Sequence, residues 1–259
     1  MIEVERVYLD SSVLDPSFAR DASDFAGRFQ KLGWVWCRSD EQIVELLDAA
    51  RSPEGQQFIQ QCAQRLLPLL PESLMCRNGA QVVLEELRGQ PVRPFEDGET
   101  LSLLQVFWEE LANGNFSRSH RIWSSSDQWR SRHEQFKRKL EHARQRGARK
   151  IEWEKFLFLK IRKHLISLRS ENPDEGANQV LSHPHMFPHL RTHSMAAYKL
   201  SYDAFPFRAS AMFDLLHLVH AVDVDVLVTN DRMMKDMAEE IFHGHPVVWT
   251  KEVLFEALN

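Results

Sequence analysis

Four acidic side chains stand where a chain of alternating strands and helices can gather them: Asp10, Glu45, Asp214 and Asp231. Asp10 closes the apolar run Val4–Leu9. Glu45 follows Ser39 by six residues, inside a stretch with helical apolar spacing. Asp214 stands near the start of an apolar helical segment, with His217 three residues on. Asp231 follows the apolar run Asp225–Thr229 in the order Thr229-Asn230-Asp231. Clustered carboxylates repel one another unless a cation neutralises them. Hard divalent ions with oxygen ligands, Mg²⁺ or Mn²⁺, suit such a set, and these ions activate water and stabilise a phosphoryl-transfer transition state. Thr229 is placed to hydrogen-bond a ligand carboxylate, and Arg232 and Lys235 to meet phosphate. A rival cluster, His183, His185, His189 and His193, has one helical i, i+4 pair and would suit zinc. Its prolines, Pro184 and Pro188, argue instead for a polar loop.

The elements that must position the acids follow from periodicity. Val4–Leu9 and Gly33–Cys37 read as strands. Phe18–Leu32 reads as a helix, as does the segment beginning at the N-capping residues Ser39 and Asp40. A further helix over 54–70 ends at Pro68 and Pro71, residues 79–88 fit strand or helix, and Gly98–Ala112 reads as helix. Residues 115–170 form charged, largely helical material, and 171–193 read as an irregular connection. The last part is the most regular: helix Ser210–Val222, strand Asp225–Thr229, helix Asp231–Phe242, strand Pro246–Trp249 and helix Lys251–Leu258. Such alternation predicts a parallel sheet covered on both sides. In sheets of that kind, ligands bind beyond the carboxyl ends of the strands.

Charge is unevenly distributed. The net charge is −5, yet Arg118–Arg169 holds 16 Lys and Arg against 5 Asp and Glu. That segment therefore carries +11 and the remainder −16. A long solvated helix accounts for such a block, and so does a surface for a phosphate backbone. Arg144, Arg146, Arg149 and Lys150 are its candidate nucleic-acid contacts. Trp123, Trp129 and Trp153 could stack on bases, although their helical spacing favours core packing. No apolar run approaches the roughly 20 residues that span a bilayer. The first residues do not read as a secretory signal. The three cysteines, Cys37, Cys62 and Cys76, have no metal-ligand spacing. A cytoplasmic protein without a membrane partner is expected.

Four motifs together resemble the PIN-domain nucleases. They are Val7-Tyr8-Leu9-Asp10-Ser11-Ser12, Ser39 with Glu45-Leu46-Leu47, Asp214-Leu215-Leu216-His217, and Val226-Leu227-Val228-Thr229-Asn230-Asp231-Arg232. Ser-Ser after Asp10 departs from the more usual Thr-Asn or Thr-Ser but keeps a hydroxyl. The resemblance covers roughly residues 1–50 and 205–259. It implies a three-layer α/β fold with a central parallel sheet. The nuclease core would take 1–110 and 200–259, and a helical basic insertion with a His- and Pro-rich connection would take 111–199. It also implies metal-dependent cleavage of RNA, with Asp10, Glu45, Asp214 and Asp231 as ligands of Mg²⁺ or Mn²⁺. The alternatives are a DNA nuclease on the same acids, a non-catalytic RNA- or protein-binding module, and the toxin of a toxin–antitoxin or defence system with an antitoxin as partner. Homodimerisation is left open.

Overall fold

The computed structural model describes residues 5–21, 24–96, 106–117, 151–202 and 211–259, with positions 131, 134, 135, 138 and 141. Strand β1 (Arg6–Leu9) leads through a 3-10 turn (Ser11–Val13) to α1 (Pro16–Asp21) and α2 (Phe25–Lys31). Strand β2 (Val35–Arg38) precedes α3 (Asp40–Ala49), α4 (Pro53–Leu66), a 3-10 helix (Leu67–Glu72) and strand β3 (Leu74–Met75). Helix α5 (Gly79–Leu87) follows, and residues 106–112 are helical. Then come α6 (Trp153–Ser167), α7 (Pro173–Ser182), a 3-10 turn (Pro184–Met186), α8 (Pro188–Tyr202) and α9 (Ala211–Ala221). Strand β4 (Val226–Val228), α10 (Arg232–Phe242), β5 (Val247–Trp249) and α11 (Lys251–Leu258) complete the chain. No helix among the described residues is long and apolar enough to cross a membrane.

The chain divides into two compact units. The first comprises Met1–Asn78, Pro94–Arg130 and Asp223–Asn259; the second comprises Gly79–Arg93 and Ser131–Val222. The first is an α/β unit whose five strands are all parallel, in the order β3-β2-β1-β4-β5. Val7, Tyr8 and Leu9 of the central strand are fully buried, as are Val226, Leu227 and Val228 beside them, as expected of parallel strands covered on both faces. On one face Val7, Leu9, Trp36, Val226 and Val228 join one core with Phe18, Phe25, Phe29 and Trp108. The Phe18 and Phe25 rings meet edge to face at 5.0 Å. In one continuous helix seven residues would separate them by about 10 Å along the axis, so the single helix expected over Phe18–Leu32 is instead two, α1 and α2. The short edge strand β3 was not anticipated, since its two residues follow the proline-bearing 3-10 helix.

Helix ends in this unit carry their own signals. Ser52 accepts from Gly55 N at 3.0 Å with Pro53 next in the chain, and α4 gives way to 3-10 geometry where Pro68 and Pro71 intervene. Asp225 accepts from the backbone N–H groups of Glu5 (3.1 Å) and Arg6 (2.8 Å), fixing the start of β1 beside β4. Cys37, Cys62 and Cys76 are buried free thiols; burial pushes all three up, that of Cys62 to about 12.

Arg38 is the anomaly of this core. It is fully buried at the end of β2 and donates from Nε to Ser73 Oγ at 2.8 Å, while Nη1 and Nη2 meet no acceptor among the described residues. Burial lowers its guanidinium to about 10. Ser73 keeps a second bond, to Leu70 O, at 2.8 Å. A buried charge without a carboxylate partner costs more than a well-packed apolar chain of similar volume. Arg38→Met is therefore expected to raise stability by about 1–4 kcal/mol, read as a higher urea midpoint at unchanged slope. A lower midpoint would show that the guanidinium stabilises the core.

The second unit is helical among its described residues. Val83, Leu157, Ile161, Leu165, Ala177, Val180, Phe187, Leu190 and Val219 form its core, with the α6 members at i, i+4 spacing. Gly176 lets α7 close on α6: a Cβ there would stand 2.8 Å from Leu165 Cδ1. The irregular connection expected over 171–193 is instead helical, as α7 and the start of α8. Pro188, weighed as a sign of a loop, is a helix starter: Pro173 and Pro188 are the first residues of those helices, where a missing N–H is harmless and the fixed φ suits the turn. The segment 79–88, which fitted strand or helix, is helix.

Candidate functional site

β1 lies between β2, to which the chain passes next, and β4, to which it returns at the end. The strand order therefore reverses beside β1, and the crevice beyond the carboxyl ends of β1 and β4 is the position where open α/β sheets hold ligands. Asp10 sits there, 2% exposed, with its backbone N–H donating to Val228 O at 2.9 Å. Its Oδ2 accepts from Thr229 Oγ1 at 2.9 Å, from Ser12 N at 3.3 Å and from Ser12 Oγ. Thr229 Oγ1 in turn accepts from Asp231 N at 3.0 Å, and Ser12 Oγ accepts from Asn230 N at 3.0 Å. Two loops, one after each strand, are thus laced together through one carboxylate and two hydroxyls.

Glu45 reaches this point from the second turn of α3. It is half-buried, and its Oε2 accepts from Ser11 Oγ. A carboxylate oxygen of Asp10 and one of Glu45 lie within 4.8 Å of each other. The adjacent hydroxyls of Ser11 and Ser12 therefore hold one acid each. The entry to α3 is fixed by a buried lattice: Ser39 N donates to Gln42 Oε1 at 2.9 Å, Gln42 Nε2 donates to Leu9 O, and the Ser39 and Tyr8 hydroxyls pair at 2.7 Å. Burial above all pushes the Tyr8 phenol well up, so this hydroxyl stays neutral.

Asp231 is at the mouth of the same crevice as the N-cap of α10; its Oδ1 accepts from Met233 N at 2.7 Å and Met234 N at 3.2 Å. Lys251 closes the rim on the α11 side, donating to Asp15 Oδ2 at 2.7 Å. Partial burial opposes ionisation of Asp15, and the bonds from Lys251, Ser17 and Phe18 N outweigh it and hold the carboxyl below its usual range.

Asp10, Glu45, Thr229 and Asp231 thus belong to the first unit. Asp214 belongs to the second, buried in the first turn of α9, with His217 fully buried one turn later. Arg232 projects into solvent and pairs loosely with Asp236 at 3.9 Å, and Lys235 lies 3.8 Å from Glu239; both are ordinary i, i+4 surface pairs. Arg144, Arg146, Arg149 and Lys150 lie outside the described residues, as do Trp123 and Trp129. Trp153 packs on Phe156 and Tyr198, with ring centroids 6.2 and 5.5 Å away.

The four histidines have separate partners. His183 and His185 face each other with ring centroids 6.3 Å apart. His189 Nδ1 lies 2.6 Å from Glu86 Oε1, and His193 Nδ1 lies 3.3 Å from Lys160 Nζ. Glu86 also accepts the backbone N–H groups of His189 (3.2 Å) and Leu190 (2.8 Å) at the start of α8. The Glu86–His189 and Lys160–His193 pairings had no spacing signal, because each joins residues from helices distant in sequence.

No protein-family model, curated protein or solved structure matches the chain. The donors at the crevice are carboxylate and hydroxyl oxygens, the set that hard divalent cations take and softer metals do not favour.

Proposed function

We propose that the chain is a PIN-like, Mg²⁺- or Mn²⁺-dependent nuclease acting on RNA, with Asp10 and Glu45 as the core of its metal centre. The observation that carries this reading is the approach of those two carboxylates to within 4.8 Å at the switch point of a parallel sheet. Two ionised acids so close disfavour one another, and a divalent cation turns the repulsion into binding energy. Asp231 stands at the same crevice and the motif resemblance adds Asp214. An ion bound there supplies Lewis acidity for a phosphoryl group and lowers the pKa of a water.

The chain's own residues do the positioning. Ser12 and Thr229 orient Asp10 by donating to its Oδ2. Ser11 does the same for Glu45. The cap bonds of Asp231 anchor its Oδ1 to the α10 backbone. In-line attack on phosphorus with departure of the 3′ oxygen leaves 5′-phosphate ends.

The test is cleavage of end-labelled single-stranded RNA and DNA by the full chain, with Mn²⁺, with Mg²⁺ and with EDTA. Metal-dependent cutting of RNA with 5′-phosphate products is expected, and cutting of DNA alone would move the substrate class. Absence of cutting of either polymer by folded protein would overturn the catalytic reading.

A further inference from the structure

Lys160 lies half-buried on α6, its Nζ 3.3 Å from His193 Nδ1 on α8 and 5.9 Å from the centre of the Phe156 ring. His164 follows on α6 one turn later, and its charge and that of Lys160 both act on His193. No carboxylate pairs with Lys160 among the described residues. The acids on the surrounding helices have other partners: Glu86 of α5 is taken by His189, Asp174 of α7 by Arg162, and Glu154 faces Arg191. The other titratable groups on the packed helices are Glu85 of α5, Glu175 of α7, Lys199 of α8, and Asp214, His217 and His220 of α9. Three basic groups therefore converge without an anion. Burial holds the Lys160 amine at about 7 and His193 well below the usual imidazole range, and Lys160 and Lys163 add to the burial that lowers His164. Such a cluster is poorly charged by itself and becomes charged when an anion arrives.

The ligand class follows from the surroundings. Lys155, Lys163 and Arg169 are exposed on or just beyond α6. A continuous polyanion answers such a surface better than a lone carboxylate does. We propose that Lys160, His164 and His193 form a phosphate-binding site for a nucleic-acid backbone, one that tightens as pH falls. The assignment rests on the nucleic-acid reading above but not on catalysis.

The test is fluorescence anisotropy of the full chain with labelled 12-nucleotide oligo(U) and oligo(dT), in EDTA so that nothing is cut, between pH 6.5 and 8. Uptake of up to one proton per bound strand changes the affinity by at most about tenfold per pH unit, so wild type is expected to bind about five- to tenfold more tightly at pH 6.5 than at pH 8. Lys160→Gln should be weaker at pH 6.5, with only the shallower slope that His164 and His193 supply. Lys160→Arg, charged throughout, should be tight at both pH values and equally shallow. Lys155→Gln should lower the salt dependence yet keep the wild-type pH slope. A wild-type pH slope retained in both Lys160 variants, or no slope in wild type, would overturn the site. Binding with this pattern but without cleavage in the nuclease assay would discard the catalytic reading and leave the site standing; cleavage without the pattern would do the reverse.

Discussion

Asp10→Asn is expected to lower metal-dependent cleavage by roughly 10³-fold or more while leaving the protein folded. A metal at a phosphoryl centre supplies several kcal/mol of transition-state stabilisation, and each 1.4 kcal/mol or so is a factor of ten in rate. The substitution keeps an oxygen that can accept from Ser12 and Thr229, so the loops after β1 and β4 retain their lacing. It also removes one of two carboxylates lying within 4.8 Å, so metal-free stability should hold or rise. Thermal melts supply the independent arm. Mn²⁺ at about a hundred times its Kd should stabilise wild type by about 2.7 kcal/mol, and the shift should vanish in the variant. Glu45→Gln should weaken the shift too, and Asp214→Asn tests the ligand that the motif resemblance adds. Undiminished cutting by Asp10→Asn would remove the crevice from the mechanism.

The largest expected stability effect lies in the second unit. Glu86→Ala should cost about 3–5 kcal/mol, because it leaves three buried N–H donors without their acceptor, at about 1–3 kcal/mol each. Glu86 and His189 are both almost fully buried, and the carboxylate also takes two N–H groups that the first turn of α8 leaves without helical partners. Removing it strands a buried imidazole and two backbone donors together. Hydrogen exchange of the α8 amides is the appropriate readout, because it reports local opening before global melting. Protection unchanged within about tenfold would mean that the pair stabilises little.

Much of the first unit was legible because its central strands, β1 and β4, are almost fully buried and therefore nearly continuously apolar. β1, β2, β4 and β5 each stand within a residue or two of where the pattern puts them, and Asp10, Thr229 and Asp231 fall at the carboxyl ends by simple adjacency. Thr229 bonding the Asp10 carboxylate follows from the same adjacency once β1 and β4 pair. β3 escaped because two residues cannot show a period. The helices over 173–202 escaped because proline was weighed as a breaker, although the first helical turn is where it is well tolerated. Neither Glu86–His189 nor Lys160–His193 could be read from spacing, since packing between helices sets them rather than any local repeat.

The pairing of β1 with β4 also governs when the crevice can come into being. Asp10 and Thr229 are 219 residues apart, and the second unit's 131–222 stretch is made between them. At about 5–20 residues per second of synthesis, ten to forty seconds or so pass between the emergence of Asp10 and that of Thr229. A nascent chain or a prematurely terminated product bears Asp10 and Glu45 without the strand that orders the first of them. Until Thr229 emerges, the nuclease proposed above would meet the ribosome's own message only as an incomplete enzyme.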